Sequence, residues 1–321
     1  MSLRLTAIIC AHNPQRAYLD ETLDSIRAQV DLSPNDAWEL LLIDNASAPA
    51  LDTWVNLTGL PNARIIREDK LGLTHARLRS FSEARGEILL YIDDDNILAP
   101  NYFAETLAAF DADGALGATG GKSLPRWEVE PPSWFETTGI SLACRDLGEK
   151  PLSADWRTTP KSDRRYPECA PIGAGMGIRK SAYADYVDHA KQDPVRLALG
   201  RRGTDLASGE DNDMILTLLA NGWRVAYLPQ LSLDHIIPES RLSESYLRRY
   251  ARSSSRTWVQ VLAVHDIVPW PGLATWTLPF RKLRAWLRMR PWKGPVEQIN
   301  WQSACGNFEG RAAISEIRQK P

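Results

Sequence analysis

Three adjacent carboxylates, Asp93, Asp94 and Asp95, end the apolar run of "EILLYIDDDNIL" at residues 87–98. Like charges side by side repel one another, and a buried strand end offers them little water. A bound cation, a set of basic side chains, or plain solvent at a loop tip would each compensate them. The cation has chemical consequences, because carboxylates coordinate Mg2+ or Mn2+ and the ion in turn neutralises phosphate charge. A solvated acidic turn is the bland alternative. A second acidic set, Glu210, Asp211 and Asp213, lies in "GEDND". Acidic groups there would meet a helix dipole favourably, and one of them could equally take a proton from a hydroxyl. His235, in "LSLDHIIPESRL", is either an imidazole ligand or a satisfied structural histidine.

These groups need elements to hold them. Residues 3–10, 38–44, 63–68 and 87–92 read as short apolar strands, and 18–29, 74–86 and 100–112 as helices. Gly86 would close the second helix at its C-terminus. Strands alternating with helices predict an α/β fold with a mainly parallel central sheet flanked by helices. Ligands of such sheets bind beyond the carboxyl ends of the strands. Here those ends carry His12-Asn13, Asp44-Asn45, Glu68-Asp69 and the triple aspartate, and Ala11 ends the first strand. Residues 122–172 are Pro- and Trp-rich with little periodicity, a length of irregular chain that is usually functional. A Gly-rich turn at 171–183 leads toward a helix, 209–223 reads as a helix with an acidic first turn, and "RVAYLP" as a strand. Gly173, Gly175 and Gly177 would let backbone approach a ligand closely, or simply make a tight turn.

The strings "AIICAHNPQRAYLDETLDSIRAQ", "LLIDNAS", "YIDDDNIL" and "GEDND", in that order over residues 3–240, resemble glycosyltransferase family 2. The resemblance implies a GT-A fold over 1–240, with a nucleotide-binding half at 1–121, an acceptor half at 122–240, and a helical basic extension at 241–321. It implies an inverting transfer from a nucleotide-diphosphate sugar, UDP-linked, to a hydroxyl of a glycan or lipid-linked acceptor. Asp93 and Asp95 then flank a Mn2+ or Mg2+ site, Asp95 as the direct ligand, with Asp94 toward the donor's ribose or sugar. Asp44 would contact the base or ribose. His12 would stack on the base while Asn13 fixes the turn, and Arg77 would lie near the base. Ala11 and Gly175 complete the donor-binding set. Asp211 would be the general base, with Glu210 orienting the acceptor. His235 would be a further metal or diphosphate ligand, and Arg241 would face the diphosphate. Lys70 and Leu78 stand where the family commonly has Asn.

The chain's 321 residues carry 38 basic and 40 acidic groups, so no global positive field argues for nucleic acid. Four separated cysteines suggest neither a zinc site nor a disulfide framework, and a reducing cytoplasm suits them. The apolar start is too short for a signal segment, and no run approaches the ~18 residues of a membrane span. The stretch "FRKLRAWLRMRPWK" at 280–293 is basic and amphipathic. It suits either peripheral contact with an anionic membrane at the inner face of the cell membrane, or packing of its aromatic groups on the catalytic domain. A P-loop and a dinucleotide fingerprint are both missing. Two rival functions are a nucleotidyltransferase of the same fold, whose Gly- and Arg-rich loop after the first strand is not matched by "CAHNPQR", and a non-catalytic nucleotide-sugar binding module, against which the intact Asp93, Asp95 and Asp211 argue.

Overall fold

Near-continuous apolar strands need cover on both faces, and that requirement shapes the first part of the chain. The computed structural model describes residues 3–318. Strand β1 (Leu5–Ala11) is followed by helix α1 (Arg16–Arg27), β2 (Trp38–Asn45), β3 (Arg64–Glu68), α2 (Leu73–Glu83), β4 (Ile88–Ile92) and the short β5 (Asn96–Leu98). Then come α3 (Tyr102–Ala112), β6 (Leu116–Trp127), β7 (Leu152–Ala154), β8 (Met176–Arg179), α4 (Lys180–Gln192) and, later, β9 (Arg224–Ile237). Every residue of β4, and all of β1 except Cys10, is buried. Glu39 is fully buried in β2, and its carboxylate accepts from Thr6 Oγ1 (3.0 Å), the Arg85 amide (2.7 Å) and Arg64 (3.2 Å). A buried charge persists when it is paired in this way.

The strands form one mixed sheet in the order β3-β2-β1-β4-β8-β6-β9-β5, with β7 on β9. The parallel character is confined to β3, β2, β1 and β4. Beyond β4 the pairings β4–β8, β6–β8, β5–β9 and β7–β9 are antiparallel. Parallel register sets Ala11 beside Asp44 and Asn45 beside Glu68, which aligns the carboxyl ends of these strands along one edge.

Three local expectations change. Gly86 is not a helix cap, since α2 stops at Glu83; a Cβ at Gly86 would come within 2.6 Å of the Leu5 and Thr6 backbone, so close approach to β1 requires the glycine. The Gly-rich stretch contains strand β8 before its helix. His235 lies within β9 rather than after a strand.

The chain divides into two compact units. The sheet unit runs to Arg126 and adds Ala143–Gln192 and Met214–Ile236. The second unit combines Trp127–Leu142, Asp193–Asp213 and the chain from Ile237 onward. It holds α5 (Pro194–Leu197), the first turn of α6 (Glu210–Ala220), α7 (Glu239–Leu242), α8 (Glu244–Val264), α9 (Leu278–Met289) and α10 (Pro295–Arg318). Within it α8 and α10 pack closely: Cβ atoms at Gly306 and Gly310 would meet the Arg252 and Arg256 carbonyl oxygens at 2.0 and 2.7 Å. Val259, Ala263 and Ile314 form a small apolar cluster there.

Candidate active site

The sheet unit carries the expected donor-binding residues. Asn13 adopts a left-handed φ of 49° after β1, and its Oδ1 accepts from the Ala48 amide at 2.8 Å while its own amide donates to Ser47 Oγ at 3.0 Å. These bonds tie the loop after β1 to the loop after β2. Ala11 is buried at the end of β1. His12 is exposed, and its Nδ1 lies 2.7 Å from the Asn45 carbonyl. A carbonyl only accepts, so Nδ1 carries the proton and Nε2 faces Asn13 Nδ2 at 3.2 Å. These two contacts hold the exposed ring in one orientation.

Asp44 is 2 % exposed. Burial pushes its carboxyl up, but hydrogen bonds from the Leu51 amide, Ser47 and Arg67 outweigh burial and hold it below the usual carboxylate range. The Arg67 contact is 2.7 Å. Asp44 therefore organises the loop that follows β2. Asn45 donates to the Glu68 and Lys70 carbonyls at 3.2 and 2.8 Å and accepts from the Gly72 amide at 2.8 Å. The sequence marks Asn45 only as a strand-end residue and does not single out Ser47 or Arg67, though "DNAS" after a strand is a signal that reaches Ser47. Arg77 is buried in α2, with its guanidinium 5.1 Å from the centre of the Tyr91 ring. It is not an exposed helix charge.

Gly175 has a φ of +71°, and a Cβ there would lie 2.4 Å from the Tyr102 hydroxyl and 2.5 Å from Leu233. Its carbonyl accepts from Tyr102 Oη at 2.6 Å. The close approach expected at this glycine is to the protein's own core.

The triple aspartate forms the turn between β4 and β5. Asp93 and Asp94 are half-buried and Asp95 is buried. Antiparallel pairing of β5 with β9 sets Asn96 opposite His235. As a result His235 Nε2 lies 3.3 Å from Asp95 Oδ1, which also accepts from Asn96 Nδ2 at 3.3 Å. The other imidazole nitrogen lies 3.9 Å from Cys144 Sγ, contributed by the irregular middle segment. Thus two of the three expected metal ligands meet at the carboxyl end of β4. Among the described residues, no group of three or more His, Cys, Asp or Glu side chains is placed to hold a metal ion.

The second unit carries the acidic helix start. At about 100° per residue, Glu210 and Asp213 share one side of α6 and Asp211 points away from both. Burial follows this: Glu210 and Asp213 are buried, whereas Asp211 is half-exposed. Asp213 Oδ1 accepts from Arg196 at 2.6 Å and from His265 Nε2 at 2.7 Å, an arrangement the sequence did not suggest. Asp211 Oδ1 accepts from the Asn212 amide at 2.9 Å. Burial pushes the nearby Tyr250 phenol up, and the Asp211 charge acts in the same direction. Glu210, expected to orient an acceptor, is 2 % exposed. Arg241 lies in α7.

The model of Glycosyl transferase family 2 matches residues 6–187 of this chain. The chain is 18% identical over 250 residues to a glucosyl-dolichyl phosphate glucuronosyltransferase of Haloferax volcanii, covering 76% of this chain and 73% of that protein. Its fold is similar to that of S. aureus TarS 1–349, alone and in complex with UDP-GlcNAc, at 13% identity and a TM-score of 0.51 over 98% of this chain and 92% of that one. It is also similar to the mannosyltransferase PcManGT from Pyrobaculum calidifontis in complex with GDP-Man and Mn2+. That likeness has 19% identity and a TM-score of 0.52 over 95% of this chain and 74% of that one.

Proposed function

Because the chain belongs to glycosyltransferase family 2 and has the GT-A fold, we propose that it transfers a sugar, with inversion, from a UDP-linked donor to a hydroxyl of a glycan or lipid-linked acceptor. The observation that carries the donor side is the meeting of Asp95 and His235 at 3.3 Å beside the triple-aspartate turn. A carboxylate oxygen and an imidazole nitrogen form a donor set that Mn2+ accepts. A cation that takes phosphate and water oxygens for its other positions needs only one or two protein carboxylates. Asp95 and His235 would hold such an ion, with Asp93, two residues before Asp95, as the neighbouring carboxylate. When bound, Mn2+ or Mg2+ neutralises the charge that develops on the departing diphosphate.

The chain's own residues do the rest. Asn13, Asp44, Asn45 and Ser47 fix the two loops between which the nucleotide lies. His12, oriented by the Asn45 carbonyl, presents a ring face to the base, and Asp94 takes the ribose or sugar hydroxyls. Asp211 accepts the acceptor's proton as that oxygen attacks the anomeric carbon from the side opposite the diphosphate. One such displacement inverts the centre. The half-exposed position of Asp211, against the burial of Glu210 and Asp213, supports it as the base.

The test is thermal stabilisation by UDP-, GDP- and dTDP-sugars, with Mn2+ or with chelator. A ligand that binds only the native state raises its stability by mass action. UDP-sugar should raise the melting temperature in Mn2+ alone. A larger shift with a GDP-sugar would reassign the donor, and equal shifts with chelator would remove the metal from the reading.

A further inference from the structure

Helix α9 buries none of its 12 side chains. Its half-buried side carries Leu278, Lys282 and Ala285. Lys282 Nζ reaches Glu309 at 2.6 Å, and Trp301 Nε1 donates to the Lys282 carbonyl at 3.2 Å, so this side faces α10. At about 100° per residue, Phe280, Leu283 and Leu287 fall on the opposite side. They are 69%, 57% and 57% exposed. Exposed Trp276 precedes the helix and exposed Trp292 follows it, its ring 4.5 Å from that of Trp286. Arg281, Arg284 and Arg288 flank the apolar strip along one side, and Arg290 and Lys293 close its end. No acidic residue lies between Leu278 and Lys293.

We propose that this face of α9, with Trp276 and Trp292, docks the protein on an anionic lipid bilayer. An apolar strip bordered by cations is the pattern of a helix lying in the plane of a membrane interface: apolar side chains enter the acyl boundary, and arginine heads reach the phosphates. Tryptophan suits that boundary because one end of its ring system is apolar and the other donates a hydrogen bond. The charge pattern argues against a second copy of the chain. A symmetric contact brings the same patch to itself, and here it would oppose the same five cations. Nucleic acid would use the cations but leave the central Phe280, Leu283 and Leu287 without a role. Lys282 takes no part, because Glu309 already neutralises it. Docking would confine the enzyme to the surface where a lipid-linked acceptor lies, but the docking itself does not depend on the acceptor.

The test is co-sedimentation of the full chain with phosphatidylcholine vesicles, with and without phosphatidylglycerol, at low and raised salt. Binding is expected only with phosphatidylglycerol and should weaken as salt rises. Tryptophan emission should shift to the blue on binding. Arg284→Ala with Arg288→Ala should weaken binding about 30-fold, from about 1 kcal/mol for each arginine near the surface. Leu283→Glu with Leu287→Glu should abolish it. These side chains are exposed, so circular dichroism and melting temperature should match the parent and separate lost docking from lost folding. The proposal is overturned if the parent ignores phosphatidylglycerol vesicles at low salt, or if folded variants bind as well as the parent. It is overturned too if sedimentation equilibrium finds a dimer that the Leu→Glu pair dissolves, since the face would then belong to a second copy.

Discussion

Asp211 and Asp213 lie two residues apart on α6, yet their substitution should have opposite consequences. Asp213 is fully buried and accepts charge-assisted hydrogen bonds from Arg196 (2.6 Å) and His265 (2.7 Å), whose side chains are 11% and 7% exposed. Each such bond contributes about 1.5–3 kcal/mol. Asp213→Ala breaks both, while the longer Arg196–Asp193 contact at 3.9 Å stays. The loss should fall near the ~3–5 kcal/mol expected when one member of a buried charge pair is removed. Asp213→Asn can keep an oxygen at the Oδ1 position that accepts from both donors, but without the charge, and neutral bonds are about half as strong, so about half that loss should remain. Because a buried pair can be replaced by apolar groups at little cost, Asp213→Leu combined with Arg196→Met should be more stable than Asp213→Leu alone. Urea unfolding at constant m-value is the assay, with the midpoint shift as the reading. An Asp213→Ala protein within about 1 kcal/mol of the parent would refute the claim that this network anchors the start of α6.

Asp211→Asn should keep the parent's stability and donor binding but lower turnover ~10²–10⁴-fold, because the amide cannot accept the acceptor's proton; single-turnover kinetics with bound donor would check this. Asp95→Ala should remove Mn2+-dependent UDP binding in calorimetry, since it takes away one of the two groups that meet at the candidate metal position, and unchanged affinity would move the metal elsewhere. Asp44→Asn should change the pH dependence of stability. The Asp44 carboxyl is held low in the folded state by Leu51, Ser47 and Arg67 against the opposing effect of burial, so its contribution is full above the unfolded value of ~3.9 and fades as pH falls through the lower folded one. Unfolding curves at neutral pH and below ~3.9 should therefore show the Asn variant's deficit shrinking in acid.

The strands of the parallel half were legible because each is an apolar run stopped by turn-forming polar residues, and their shared register then gathers those stops on one edge. Beyond β4 the local signals fail for identifiable reasons. Strand β8 has only four residues and includes Gly177, which hides it inside a Gly-rich string. Pro229 interrupts β9, a residue that ordinarily argues against a central strand, so the strand's 14-residue extent and the place of His235 within it were not readable. The meeting of His235 with Asp95 depends on which residue of β9 falls opposite Asn96, and antiparallel register between distant segments leaves no mark in either one alone. Asp213 was obscured differently: an acid in the first turn of a helix is already explained by the helix dipole, so nothing pointed to Arg196 and His265. The basic helix α9 shows the same limit in reverse. Its amphipathic spacing was plain, but spacing cannot say which side meets the protein. The Lys282–Glu309 pair decides that, taking one cation out of the tail's charge and turning Phe280, Leu283 and Leu287 outward. A sequence thus displays the groups capable of chemistry more readily than the pairings that neutralise, orient or expose them.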